Sequence, residues 1–132
     1  MPRYVVFAAF LLLCALGGGS SRADVPSLLY LRPAAVLAIA LLAVLPGRWD
    51  FSGVRTPLLF LFALALLIAL QLVPLPPSMW MALPGHGRFA AIANLAGHAQ
   101  PWRPITLSPD DTLNSLLALL PALVVLIGLA GL

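Results

Sequence analysis

The stretch PLLFLFALALLIALQLVPL, residues 57–75, is the clearest guide to the fold. Gln71 is its one polar side chain, and its length approaches the roughly 20 apolar residues that a helix needs to cross a bilayer. The prolines that begin at Pro74 cannot continue a regular helix. The stretch therefore predicts a transmembrane helix over residues 57–75.

The composition of the whole chain extends this prediction. Of the 132 residues, 62% are hydrophobic and 8% are charged. Ordinary soluble domains are about 45–50% apolar and about 25% charged. So few charges cannot cover a water-facing surface, which predicts that lipid surrounds most of this chain.

Three more apolar runs predict spans at about residues 2–20, 27–46 and 113–132. With residues 57–75 they make an all-α fold of about four transmembrane helices in one membrane region, residues 1–132. The last span follows a strong helix start. Ser108 can cap it, Pro109 suits its first position, and Asp110 and Asp111 complement the positive end of the helix dipole.

The first run has two interpretations. Arg3, the apolar residues 4–16 and the small residues Ser21 and Ala23 suit a signal peptide that is cleaved after export. The same residues suit a short span that is retained. We favour the retained span, because more membrane sequence follows it and not an exported domain.

The one long polar segment is the loop of residues 76–111. Trp80 and Trp102 in this loop are predicted interface anchors. Residues 88–95 predict a short helix that lies on the membrane. With the amino terminus inside, the arginines divide three to four between the two sides, which does not settle the orientation. We place the amino terminus inside, which makes the loop periplasmic.

The basic character of the chain does not predict nucleic-acid binding. The net charge is +3 and the pI is about 10, but the seven basic residues are all arginines scattered along the chain. No cluster can neutralise a run of phosphates. Cys14 is the single cysteine, so a disulfide within the chain is impossible.

The remaining polar residues predict neither a metal site nor a cofactor. His86 and His98 share the long loop with Asp110 and Asp111, but their spacing matches no zinc pattern. We interpret both histidines as solvated loop residues. The two aspartates are neighbours on a helix and do not face each other, so they are assigned to the helix start.

Arg32 is the most informative single residue, since it lies inside the second apolar run. An ionisable group near membrane depth is a candidate functional residue, and a guanidinium suits phosphate. Its long side chain can also snorkel to the interface, which is a structural role. Arg32 and Arg22 are therefore candidates for contact with a lipid phosphate or for a structural role.

Three pieces of sequence occur here in a recognisable order. They are GGSSR at residues 18–22 shortly before LRP at 31–33; QLVPLPPSMW at 71–80, continuing to LPG at 83–85; and PWRPITLSPD at 101–110, then TL at 112–113. Together they resemble the amino-terminal portion of bacterial O-antigen ligase and O-antigen polymerase family proteins. The resemblance covers nearly the whole chain.

The resemblance implies a multi-pass protein of the bacterial inner membrane. Such glycosyltransferases take a glycan from an undecaprenyl-diphosphate carrier and transfer it to lipid A core or to a growing polysaccharide, in lipopolysaccharide and cell-surface polysaccharide biosynthesis. They need neither metal nor nucleotide sugar. The partners implied are membrane lipid, other helices and, in the full-length protein, the lipid-linked glycan.

No catalytic residue is carried over, because the family's functional arginines and histidine lie mainly in later helices and a large periplasmic loop. The chain stops at Leu132 in apolar sequence, so we expect a fragment that is inactive by itself. The alternative is a small non-enzymatic multi-pass protein, a scaffold or transporter subunit, that works by helix packing.

Overall fold

The computed structural model describes residues 2–17, 26–97 and 100–131. It is mostly helical, about 70%, which confirms the all-α class. The helices are α1 (Pro2–Leu16), α2 (Leu28–Val44), α3 (Arg55–Leu70), α4 (Pro77–Ala82), α5 (Gly87–Leu95), α6 (Pro109–Leu117) and α7 (Leu120–Gly131), and two short strands are β1 (Pro74–Leu75) and β2 (Arg103–Pro104).

The core lies where α1, α2 and α7 pack together. Phe10, Ala35, Ala38, Leu42 and Val124 form its buried cluster. Ala35 and Ala38 are small, and small residues let neighbouring helix backbones approach closely. The same device recurs in α7, where a Cβ at Gly128 would overlap the ring of Phe7.

The helices alternate in direction, which gives the bundle two distinct ends. At one end, the Arg3 side chain of α1 donates hydrogen bonds to the carbonyls of Leu45 and Gly131, where α2 and α7 finish. We call this the arginine end, and it includes residues 45–54. At the opposite end, the backbone N–H of Thr106 donates to the Gln71 carbonyl after α3. We call this the loop end, and it includes residues 71–108.

Helix α3 lies at the edge of the bundle, where it contacts α6 and α7. None of its residues is buried. An apolar groove of about 510 Å³ separates it from α6 and α7. The helix begins at Arg55, with Val54 as its N-cap, and ends at Leu70. The helix therefore begins two residues before the predicted span 57–75 and ends before the span does, because Gln71 already begins the turn towards β1.

The predicted start of the last helix is confirmed. Ser108 is at the N-cap position of α6, Pro109 is in its first turn, and Asp110 and Asp111 follow. The Ser108 side chain makes no capping hydrogen bond to the helix backbone. The helix is interrupted at residues 118–119, where the Leu119 N–H bonds to the Leu116 carbonyl three residues back. Pro121 explains this break, because it has no N–H to continue the hydrogen-bond pattern of an α-helix.

The lengths of the helices limit what they show about membrane spans. Among the described residues, one helical stretch, Pro109–Gly131 with 23 residues, is long and apolar enough to cross a membrane. At 1.5 Å per residue it covers about 35 Å, against about 30 Å of bilayer hydrocarbon. The other apolar helices, α1, α2 and α3, have 10–17 residues each and are shorter than the predicted spans 2–20, 27–46 and 57–75.

Candidate functional site

The loop end is organised by pairing between two distant pieces of sequence. Strands β1 and β2 are antiparallel, with Pro74 opposite Pro104 and Leu75 opposite Arg103. The Thr106 N–H extends this pairing with a 3.0 Å hydrogen bond to the Gln71 carbonyl. Residues 71–80 and 101–110, which are 30 positions apart in sequence, are thereby held side by side.

Trp80 is the centre of the packed loop. Its side chain is 3% exposed, and its indole Nε1–H donates to the Pro104 carbonyl at 2.8 Å. The His86 ring packs against the indole at a centroid distance of 4.5 Å. The Arg103 guanidinium lies 5.2 Å from the centroid of the indole, close enough for a cation–π interaction.

The structure separates residues that the sequence treats alike. Trp80 is buried inside the loop, whereas Trp102 is 66% exposed and is free to reach an interface. His86 was interpreted as a solvated loop residue, and this is wrong. It is 8% exposed, and its Nδ1 has no hydrogen-bond partner among the described residues. The other histidine, His98, lies outside those residues.

Arg32 joins the loop end to the bundle. Its Nη2 donates to the Asn114 side-chain oxygen at 3.1 Å, which connects α2 to α6. Its Nε is buried and has no partner in the described part of the chain. A small cavity of about 90 Å³ adjoins it, with Cys14 and Pro121 among its lining residues. Arg32 thus keeps one unused donor in an apolar setting.

Asp110 and Asp111 lie at the start of α6, where the sequence assigned them. Both are exposed. The Ser108 hydroxyl donates to the Asp111 carboxylate at 2.5 Å, and the Thr112 hydroxyl donates to the Ser108 carbonyl at 3.0 Å. These contacts fix the first turn, and carboxylates there favour the helix dipole. They do not bring the two aspartates to Arg32.

Arg3 is the residue that the sequence interpretation missed. It is 4% exposed, although it lies next to the amino terminus. Its guanidinium donates to the carbonyls of Leu45, Arg48 and Gly131 at 2.7–3.5 Å. It also lies 4.1 Å from the centroid of the Trp49 ring. A cation at two helix carboxyl ends is well placed, because those ends carry partial negative charge.

A signal for this contact is present in the sequence, in Gly47 after the end of α2. A Cβ at Gly47 would lie 2.6 Å from Arg3 Nη1, so the guanidinium would have to shift to make room for a side chain there. The Asp50 N–H donates to the Ala130 carbonyl at 2.7 Å and closes the same end.

Asp50 is the carboxylate of the arginine end, and its side chain accepts hydrogen bonds from Ser52, two residues later in the sequence. The Ser52 hydroxyl and the Ser52 N–H, the latter at 2.9 Å, donate to it, and these hydrogen bonds hold the pKa of Asp50 below its usual value. The carboxylate is fully exposed, so solvent screens its contribution.

Of the two arginines predicted to contact a lipid phosphate, the structure describes Arg32 alone. Arg22 lies outside the described residues, as do Gly18 and Gly19. Within residues 2–17, 26–97 and 100–131, no group of three or more His, Cys, Asp or Glu side chains lies close enough to hold a metal ion. Comparison of the chain with protein-family models, with curated proteins and with solved structures gives no significant match.

Proposed function

We propose that this chain is the amino-terminal membrane region of a lipid-linked glycan transferase that resembles O-antigen ligases and polymerases. One observation carries the proposal: pieces of sequence that carry the resemblance meet at the loop end. Residues 71–80 and 101–110 pair through β1 and β2. Arg32, from the earlier piece, bonds to Asn114, directly after the last one. Segments that are far apart in sequence thus form one folded unit.

The proposal includes four membrane spans in the bacterial inner membrane. The arginine end is cytoplasmic and the loop end periplasmic. The alternating directions of α1, α2, α3 and α6–α7 support this, as do the large apolar side chains that α3 exposes, such as Phe60 and Phe62. Helices of 15–17 residues cover about 22–26 Å. A membrane can adapt to such a mismatch by local thinning at modest cost.

Within this function, Arg32 contacts the diphosphate of an undecaprenyl-linked glycan. Its buried Nε is an unused donor, and a guanidinium binds phosphate oxygens through several parallel N–H groups. Arg22 is the second candidate for this contact. No metal or nucleotide is required, and the transfer chemistry is assigned to no residue of this chain.

Membrane topology is the first test. In a Cys14→Ser background, Ser52→Cys reports the arginine end and Ser78→Cys the loop end, since both serines are exposed. With four spans, an impermeant maleimide added to spheroplasts labels position 78 and not position 52. If α6–α7 alone crosses the membrane, the two positions lie on the same side, and equal labelling of both would overturn the four-span arrangement.

Lipid binding is the second test. The full chain in nanodiscs is exposed to a photoreactive polyprenyl diphosphate. Crosslinking is expected to be competed by undecaprenyl diphosphate and not by undecaprenol, and to fall about tenfold in Arg32→Gln, which loses a charge-assisted contact. Arg88→Gln is the matched control, because Arg88 is exposed on α5. Equal competition by undecaprenol would exclude diphosphate recognition and favour a non-enzymatic scaffold.

A further inference from the structure

A second arginine at the loop end faces an open cavity. The cavity, of about 280 Å³, lies between α5, β2 and the start of α6. Binding pockets for drug-sized molecules are usually about 300–1,000 Å³, so this one suits a single small headgroup. It is lined by Trp80, Phe89, Arg103, Pro104, Thr106, Leu107 and Pro109.

Arg103 is the charged residue of this cavity. Its guanidinium lies above the Trp80 ring, and no hydrogen bond or ion pair of its side chain is found among the residues that the structure describes. The Thr106 hydroxyl is already engaged. It accepts from the Ser108 N–H at 3.1 Å and donates to the Thr112 hydroxyl, 2.8 Å away, because the single Thr112 proton goes to the Ser108 carbonyl. The donors available to a ligand are therefore those of Arg103.

An exposed apolar surface continues from the cavity along α5. Phe89 lines the cavity and is 47% exposed, and Ile92 and Leu95 follow at three-residue steps with 65% and 90% exposure. Residues three apart share one face of a helix. A short helix with such a face is suited to lie at the boundary between headgroups and acyl chains.

The charged side chains of the loop end itself have one sign. From residue 71 to residue 108 the sequence contains Arg88 and Arg103 and no Asp or Glu. The nearest carboxylates, Asp110 and Asp111, are at the start of α6, where Asp111 accepts from Ser108. A basic surface beside exposed apolar residues is complementary to an anionic lipid and not to a cationic or purely polar partner.

We propose that this cavity binds the phosphate of an anionic phospholipid, with Arg103 donating to the phosphate oxygens and the Phe89–Ile92–Leu95 face of α5 lying against the acyl chains. Arg103, stacked on Trp80, presents its planar donors to the phosphate. The proposal depends on insertion of the chain into a membrane and not on glycan transfer. It stands if the polyprenyl diphosphate test fails.

The test measures the ratio of bound phosphatidylglycerol to bound phosphatidylcholine by native mass spectrometry of the full chain released from mixed micelles. The wild-type chain is expected to prefer phosphatidylglycerol. Arg103→Gln should lower this preference about tenfold, because it removes charge-assisted hydrogen bonds. Arg88→Gln removes the same charge from the same loop outside the cavity and should keep the preference within about twofold. Equal losses in both variants would overturn the site.

A second pair of variants keeps the test valid if Arg103→Gln disturbs the loop. Phe89→Asp places a carboxylate at a half-exposed position in the cavity wall and should abolish the preference. Asn94→Asp places the same charge on α5 away from this face, at an exposed position, and should preserve it. Inorganic phosphate is the competing probe. Displacement of the lipid by millimolar phosphate would show a site for free phosphate, and an unchanged ratio in Phe89→Asp would overturn the proposal.

Discussion

The two ends of the bundle each hold an arginine, and the two arginines have different partners. Arg3 is buried and Arg32 is half-buried. At the arginine end, the Arg3 guanidinium has carbonyl acceptors at Leu45, Arg48 and Gly131 and an aromatic face at Trp49. At the loop end, Arg32 has one acceptor, Asn114, and a buried Nε without a partner among the described residues. Most N–H groups of Arg3 already donate to the backbone, whereas the Nε–H of Arg32 has no acceptor among the described residues.

An unpaired donor distinguishes a ligand-binding arginine from a structural one better than burial does. Arg3 is the more deeply buried of the two, yet four of its five N–H groups already donate to backbone carbonyls, so little is left to offer a ligand. An unsatisfied buried donor costs about 1–3 kcal/mol, and such costs persist where another requirement maintains them. We therefore expect a ligand to bind at the loop end, and we expect the contacts of the arginine end to stabilise the fold.

The largest expected effect comes from breaking the core that holds both ends together. Gly128→Ala places a methyl group into the ring of Phe7. Overpacking a core costs about 1–3 kcal/mol and sometimes more, so the free energy of unfolding should fall by about 3 kcal/mol. Denaturation in mixed micelles, followed by circular dichroism, measures this loss.

Gly87→Ala is the control for that substitution, because a Cβ at Gly87 meets nothing within 4 Å. It is also helical, so both changes share the gain in helix propensity from Gly to Ala. Equal stability of the two variants would show that α7 does not pack on Phe7 as described.

A smaller loss is expected when the arginine end alone is broken. Arg3→Gln removes the cation from the carboxyl ends of α2 and α7 and leaves part-buried carbonyls with fewer donors. This should cost about 2 kcal/mol. The cleavage rate of residues 45–54 by a protease in detergent should rise, while cleavage of residues 76–108 stays unchanged.

Gly47→Ala tests the same contact without touching the charge. Its Cβ would lie 2.6 Å from Arg3 Nη1, so the guanidinium must move. Gly53→Ala, in the same segment, has open space around its Cβ and is the matched control. If Gly47→Ala and Gly53→Ala gave the same protease pattern, the Arg3 contact would not hold this end together.

The sequence predicted the all-α class and the start of α6, since both depend on local signals such as Ser108 and Pro109. The short helix of the loop was also predicted at nearly the right residues. Contacts between distant segments were not predicted. Nothing local says that Trp80 meets Pro104 or that Arg3 meets Leu45, which are 24 and 42 positions apart. Hydropathy also overestimated helix length, because apolar residues such as Leu72 and Val73 belong to the turn after α3.

At the loop end, the Arg32–Asn114 contact should be weaker than the Arg3 contacts. A double-mutant cycle of Arg32→Met and Asn114→Ala is expected to give a coupling energy of about 0.6 kcal/mol, in the range measured for hydrogen bonds between membrane helices. The coupling energy is measured by denaturing the two single variants, the double variant and the wild-type chain in mixed micelles, followed by circular dichroism.

The single variants sharpen the comparison between the ends. Arg32→Met should cost less than Arg3→Gln, because Arg32 makes fewer bonds and its removal also relieves an unsatisfied Nε. A coupling energy above about 2 kcal/mol would mean that Arg32 is as fully committed to the fold as Arg3. The phosphate role proposed for it would then lose its basis.

The smallest effect concerns the carboxylate of the arginine end. Because the Ser52 hydroxyl is the main cause of the lowered pKa of Asp50, Ser52→Ala should raise that pKa towards its ordinary value. A lowered carboxyl pKa adds stability above the unfolded-state pKa and loses it as the pH falls through the folded value. For this exposed group the change in stability should be negligible, so carbon NMR of the carboxyl is the measurement.

In Arg3→Gln the pKa of Asp50 should stay where it is, since Arg3 donates to carbonyls and not to Asp50. A rise in Arg3→Gln would instead reveal an ion pair at this end, and Arg3 would then not be saturated by backbone groups alone.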